Sequence, residues 1–113
     1  MFKQGAVVLI PFPFTDLSAS KVRPAVIVSK HNEGDDVVVA FISSQKPPRL
    51  HRFDVLIADD GHGFASTGLK TTSVIKAAKL ATLDKKIILG ELGALNPKNI
   101  NVVCKKLGLL FGY

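Results

Sequence analysis

The sequence predicts a mainly β, α+β domain that ends in a helix. Two observations carry this. Short apolar runs rich in β-branched residues recur through the first half, each bounded by turn residues. Near the end, Asn96-Pro97 opens a stretch with one apolar helical face. The 113 residues are expected to form one domain, 1–113, long enough to bury a core without disulfides.

Ala6 to Phe12 and Ala25 to Ser29 are the first two predicted strands, and Val37 to Ile42 is the third. All three read as largely buried rather than strictly alternating. The first strand runs into a polar, Pro-flanked loop, and the chain re-enters the second through Lys21-Val22-Arg23-Pro24-Ala25. His31-Asn32-Glu33-Gly34-Asp35-Asp36 is a turn with Gly at its centre, so the second and third strands are expected to form a hairpin. Phe53 to Ile57 is the fourth strand, followed by the turn-rich stretch from Ala58 to Gly63.

The next stretch, Thr72 to Thr82, supports two readings. Val74, Ala77, Ala78 and Ala81 match a helical stripe, whereas Thr71, Thr72, Val74 and Ile75 favour the start of a strand. Asp84 to Leu92 reads as a short helical segment limited by Gly90 and Gly93. The last element is a helix with Asn96 as N-cap, Pro97 at its first position and Ile100, Val103, Cys104 and Leu107 on one face. Gly108 is expected to end it, and Cys104 to be a small core residue.

Charge narrows the partners. The formal net charge is +6 and the pI about 9.7. This favours an anionic partner such as nucleic acid, an acidic protein or a membrane surface, and it is equally compatible with a merely soluble basic protein. A single cysteine excludes an intrachain disulfide and a Cys-rich zinc site. Prolines interrupt the early apolar run AVVLIPFPF, which reads against a signal peptide, and no apolar run reaches transmembrane length. His31, His51 and His62 lack metal-ligand spacing, Asp35-Asp36 and Asp59-Asp60 read as turn formers, and there is no P-loop or dinucleotide fingerprint.

One pair of residues stands out. Pro24 fixes its own φ and holds Arg23 extended, which sets a guanidinium at the mouth of a strand on a stiff backbone. The planar fork of a guanidinium suits a phosphate. If the hairpin turn centres near Glu33, Arg23 falls opposite Ser43, where directly opposed side chains have Cβ atoms about 5 Å apart. Ser43 and Ser44 also admit a plainer role, as strand-end residues that bond a loop backbone. Beyond the same hairpin end, Gln45 to Arg52 (QKPPRLHR) carries Lys46, Arg49, Arg52 and His51. This is either the electrostatic footprint of a nucleic-acid site or a solvated basic loop. Lys70, Lys76 and Lys79 are candidates for a second basic edge. Phe12 and Phe14 flank Pro13 and either stack bases or close the end of the core.

Three segments, IPFPFTDLSASKVRPAVIVS, VVVAFISSQ and GLKTTSVIKAAKLATLDKKII, resemble in order and spacing the PemK/MazF toxins of bacterial toxin–antitoxin systems. The resemblance runs from Gly5 to about Leu92. It implies a small, strongly twisted SH3-like β-barrel with a C-terminal helix, in which the stretch from Ser73 to Thr82 is a strand. It also implies a cytoplasmic homodimer that cuts single-stranded RNA without a metal or other cofactor. An antitoxin protein blocks the groove, and the toxin–antitoxin complex binds DNA.

The family's catalytic Arg falls on Arg23 and its catalytic Thr on Ser43. Thr15, Lys21, Ser44, Gln45, Lys46, Arg49, Arg52 and Lys70 are the candidate RNA-binding residues. Two departures bear on rate rather than fold: Ser43 stands in place of Thr, and Ala6 stands where many members carry an acidic residue. Two other readings remain beside this one. A degenerate member would bind RNA or antitoxin without cutting. A peptide-binding barrel adaptor would need an exposed aromatic groove, but the chain has no Trp and one Tyr.

Overall fold

A period of two sorts the apolar runs onto the two faces of one sheet. Val7, Val26, Ala40, Ile42 and Ile75 pack together on one side, and Ala6, Val8, Ile10, Ala25, Ile27, Val37 and Val39 on the other. Both faces are covered, which is why the strands read as continuous apolar runs. The computed structural model describes residues 2–12 and 21–113.

Among the described residues the strands are β1 (Ala6–Phe12), β2 (Lys21–Ile27), β3 (Asp36–Ser43), β4 (Asp54–Ile57), β5 (Ser73–Asp84) and β6 (Gly90–Ala94), followed by helix α1 (Pro97–Phe111). They form one antiparallel, curled sheet in the order β4-β5-β3-β2-β1-β6. The helix covers the first face, where Val103 is buried and Ile100 and Leu107 pack beside it. Phe2, Phe41 and Ile88 pack against the second.

The β2–β3 hairpin has the expected register. Ala25 pairs with Phe41, Val26 with Ala40 and Ile27 with Val39. Its long connection is tied down by Lys85, whose Nζ donates to the carbonyls of Asn32 and Gly34 at 2.6 Å each.

The stretch Ser73–Asp84 is a strand, as the family resemblance implies. Its helical-looking stripe has a local cause. Ala40 pairs with Leu80 and Phe41 with Lys76, so Ala77, Ala78 and Lys79 bulge out of the β3–β5 ladder and break the period of two there.

Three expectations are corrected. Asp84 to Leu92 holds only one 3-10 turn, Lys85–Ile87, and the chain then enters β6, which pairs with β1. The two glycines hid that strand, because they lower strand propensity as well as helix propensity. Gly93 is there for space: a Cβ would lie 2.7 Å from the Thr67 carbonyl carbon and would strike the Ser66 carbonyl oxygen. The helix does not end at Gly108. It runs on through Leu109, Leu110 and Phe111 to Gly112, whose φ of 80° lets its N–H reach back to the carbonyls of Gly108 and Leu109. An interior Gly costs a helix only about 1 kcal/mol, too little to stop one that packs on a sheet. Finally, Cys104 is exposed. The row that packs on the sheet is buried Val103 with half-buried Ile100 and Leu107, and Cys104 sits at its margin, where its Sγ accepts from Gln4 Nε2 at 3.6 Å.

The start of α1 is as expected. The Asn96 side chain accepts from the Asn99 N–H at 2.8 Å, and Pro97 occupies the first turn.

Candidate active site

The site lies where β2 and β3 part. Their pairing runs from Ile27 to Ala25 and stops at Pro24, which has no N–H to give to a ladder. Each strand remains paired on its other side. Arg23 pairs with Ile10 of β1, and Ser43 pairs with Val74 of β5. The two strands are therefore held rigidly while a gap opens between them. Extending the hairpin register by two residues sets Arg23 opposite Ser43 across this gap. The result is an open cleft of about 220 Å³ lined by Arg23, Phe41, Ile42, Ser43, Lys76 and Lys79.

Arg23 is exposed, and among the described residues it has no ion pair. Ser43 is half-buried. Its Oγ accepts from the Gln45 N–H at 3.1 Å, and its hydroxyl lies 3.5 Å from the Gln45 carbonyl oxygen. This is the loop-bonding role of a strand-end serine, performed by the same hydroxyl that lines the cleft.

Lys76 is held from behind. Its Nζ lies 3.9 Å from Asp54 Oδ1, and the Asp54 side chain is almost wholly buried. The other carboxylate oxygen of Asp54 accepts from the His51 N–H at 2.8 Å. One carboxylate thus ties the basic loop to the cleft. Lys79 is exposed, and it reaches the cleft because it stands on the β5 bulge.

The other sequence candidates are spread around this centre. Lys21 is exposed on the same face of β2, two residues from Arg23. Gln45, Lys46, Arg49 and Arg52 are exposed in the loop that leaves Ser43 and do not line the cleft. The Arg52 guanidinium sits 5.2 Å from the centre of the Phe53 ring, and its carbonyl accepts from Lys106 Nζ. Ser44 and Lys70 line a different groove, of about 470 Å³, among Leu9, Val22, Pro24 and Leu92. The period of two explains this, because Ser44 follows Ser43 and Val22 precedes Arg23 on the opposite face. Thr15, Phe14 and the Phe12 side chain lie outside the described residues.

Of the second basic edge, Lys76 and Lys79 reach the cleft and Lys70 does not. Sequence reasoning missed Phe41 and Asp54. Phe41 was accessible to it, since alternation sets Phe41 on the face of Ser43. Asp54 was not, because its role depends on a pairing between β4 and β5. Among the described residues, no three His, Cys, Asp or Glu side chains gather as metal ligands.

What this arrangement can do is bind a phosphodiester. A forked cation and a hydroxyl face each other over an aromatic wall, with further positive charge beside them. No helix among the described residues is long and apolar enough to cross a membrane.

The family model described as PemK-like, MazF-like toxin of type II toxin–antitoxin system matches residues 3–111. No curated protein sequence matches. Several solved structures share the fold. One is an endoribonuclease in complex with its cognate antitoxin from a mycobacterial species, at 20% identity and a TM-score of 0.77, covering 99% of this chain and 96% of that one. MazF from Deinococcus radiodurans is 21% identical, with a TM-score of 0.73 and coverage of 98% and 96%. A MazE–MazF complex from the same organism is 21% identical, with a TM-score of 0.74 and coverage of 97% and 95%.

Proposed function

Since the chain belongs to the PemK-like, MazF-like toxins of type II toxin–antitoxin systems, we propose that it is a cytoplasmic endoribonuclease that cuts single-stranded RNA without a metal and is inhibited by a cognate antitoxin. The observation that carries this reading is the cleft in which Arg23 and Ser43 face each other where β2 and β3 separate. Solved structures with the same fold are described as endoribonucleases, and some are in complex with an antitoxin.

The chemistry follows from the substrate. The RNA 2′-oxygen attacks the neighbouring phosphorus, so an O2′–P bond forms and the P–O5′ bond breaks. The 2′-hydroxyl proton passes to a base, and the departing 5′-oxygen takes up a proton. The products are a 2′,3′-cyclic phosphate and a free 5′-hydroxyl. The nucleophile belongs to the RNA, so no metal-bound water is required. Arg23 neutralises charge that builds on the phosphorane oxygens, a stabilisation worth about 3 kcal/mol. Ser43 donates its hydroxyl proton to a phosphate oxygen in place of the long contact to Gln45. A serine hydroxyl is a weak base, so the proton acceptor is a different group. Phe41 offers a flat apolar wall for a base, and Lys46, Arg49 and Arg52 contact phosphates further along the strand.

The expected result is cleavage of a long single-stranded RNA in excess EDTA, with cyclic phosphate at the new 3′ ends. The all-DNA strand of the same sequence stays intact, because it has no 2′-hydroxyl. Cleavage that appears only when a divalent metal is added overturns the mechanism. The hydrogen bond from the Gln45 N–H to Ser43 favours a second reading, in which Ser43 is structural and the chain binds RNA or antitoxin without cutting. Binding without cleavage in the same assay identifies that case.

The active form is a homodimer. The exposed apolar side chains of Val22, Leu89, Leu109 and Phe111 are surface that a second copy can cover. Light scattering at micromolar concentration is expected to give twice the chain mass, and a monomer there counts against it.

A further inference from the structure

We propose that Lys79 forms a second phosphate subsite beside Arg23 and Ser43, so that the RNA strand is gripped at two consecutive phosphates. The proposal rests on the endoribonuclease reading and extends it to the substrate: a strand with at least two adjacent diester phosphates.

Two observations lead there. The first is the bulge. A regular β5 would continue the ladder from Lys76 toward Asp84, but Ala77, Ala78 and Lys79 have no partners on β3. Bulges re-aim side chains, and this one brings Lys79 to the cleft that Arg23 also lines. The second is charge balance. Three cations line the cleft, and Lys76 is already compensated by the buried Asp54 carboxylate. Among the described residues, Arg23 and Lys79 have no carboxylate partner. One diester phosphate carries one negative charge. With that phosphate on Arg23 and Ser43, the Lys79 ammonium is left for the next one along the strand. Lys is suited to this task, since it acts on phosphate as a flexible point charge.

The test uses a short RNA that spans a cleavage site mapped on a longer one. Each phosphate flanking the scissile one is replaced in turn by an uncharged methylphosphonate. Cleavage is measured as kcat/KM, and binding is measured in parallel on strands with a 2′-deoxyribose at the scissile position. In the wild type, neutralising one of the two flanking phosphates is expected to lower kcat/KM and affinity by about tenfold, the value of one charge-assisted contact. In Lys79→Ala and Lys79→Gln the unmodified strand loses about the same factor, and the methylphosphonate then costs nothing more. Lys79→Arg recovers most of the loss. Melting temperatures of the variants check the fold, and because Lys79 is exposed they should match the wild type.

The proposal is overturned if neither flanking methylphosphonate matters in the wild type. It is also overturned if the methylphosphonate penalty is undiminished in both Lys79→Ala and Lys79→Gln. Failure of the endoribonuclease reading looks different. The wild type would then leave the unmodified and the longer RNA uncut, while binding still reports whether the subsite exists.

Discussion

Arg23→Ala is expected to slow RNA cleavage by roughly 100- to 1000-fold, the usual cost of losing one donor to a developing oxyanion. Its melting temperature should stay within a few degrees of the wild type. The side chain is exposed at the edge of the cleft, and truncations at such positions change stability by about 0.5 kcal/mol or less. The backbone at Arg23 remains paired with Ile10 whatever the side chain. Arg23→Lys keeps the charge and loses the fork, so it recovers little.

Other positions around the cleft are expected to behave differently. Ser43→Thr retains or raises activity, because Thr keeps the hydroxyl that accepts from Gln45 and adds a methyl that restricts its rotamer. Arg49→Ala and Arg52→Ala weaken binding and reduce the salt slope by about 0.7 each, because each leaves one phosphate of a single strand without its cation. All are read as rate and salt dependence on one RNA, with melting temperature as control. Full activity in Arg23→Ala with an unchanged melting temperature removes Arg23 from the mechanism.

The second large effect concerns stability. Gly93→Ala is expected to lower the melting temperature by roughly 10–20 °C, equivalent to about 3 kcal/mol for a chain of this size. The added Cβ meets backbone rather than a movable side chain, with the Thr67 carbonyl carbon at 2.7 Å and its oxygen at 2.9 Å. That backbone cannot retreat easily. Thr67 is fully buried, its hydroxyl donates to the Phe64 carbonyl, and the same oxygen accepts from the Leu69 N–H. Ser66 also bonds the Ala94 carbonyl, which links the turn to β6 itself. Gly68 closes the same contact from the other side. Its φ is 74°, and a side chain there would run into the Leu92 carbonyl. A melting temperature for Gly93→Ala equal to the wild type would mean that β6 and the 65–67 turn do not pack this closely.

Most of the frame was legible because it depends on neighbours in sequence. The β-branched runs mark β1 to β4, the His31–Asp36 turn sets the hairpin, and the Asn96-Pro97 pair starts α1. The opposition of Arg23 and Ser43 across the gap was legible for the same reason, since a hairpin register needs only the centre of its turn. Where sequence and structure differ, the deciding contact lies far along the chain. The strand at Gly90–Ala94 carries two glycines, and only the open edge of β1 makes it a strand. The helix passes Gly108 because the helix is anchored on the sheet by Ile100, Val103 and Leu107.

The sequence by itself determined strands β1 to β4, the hairpin and its register, the start of the final helix, and the family, with Arg23 and Ser43 as its candidate pair. These rest on local propensity, turn chemistry and motif spacing. Only the tertiary structure decided which charges gather around that pair. Lys76 and Lys79 lie over thirty positions from Ser43, and their arrival depends on β5 pairing with β3 across a bulge whose place no local preference encodes. Lys70 looked equivalent in sequence and lies in the other groove, because the side chain it presents is set by the path of the chain before β5 begins. Asp54 reads as one more surface acid until β4 docks beside β5 and buries it against Lys76. Charge composition is a property of the chain, whereas the position of each charge in space is a property of the sheet.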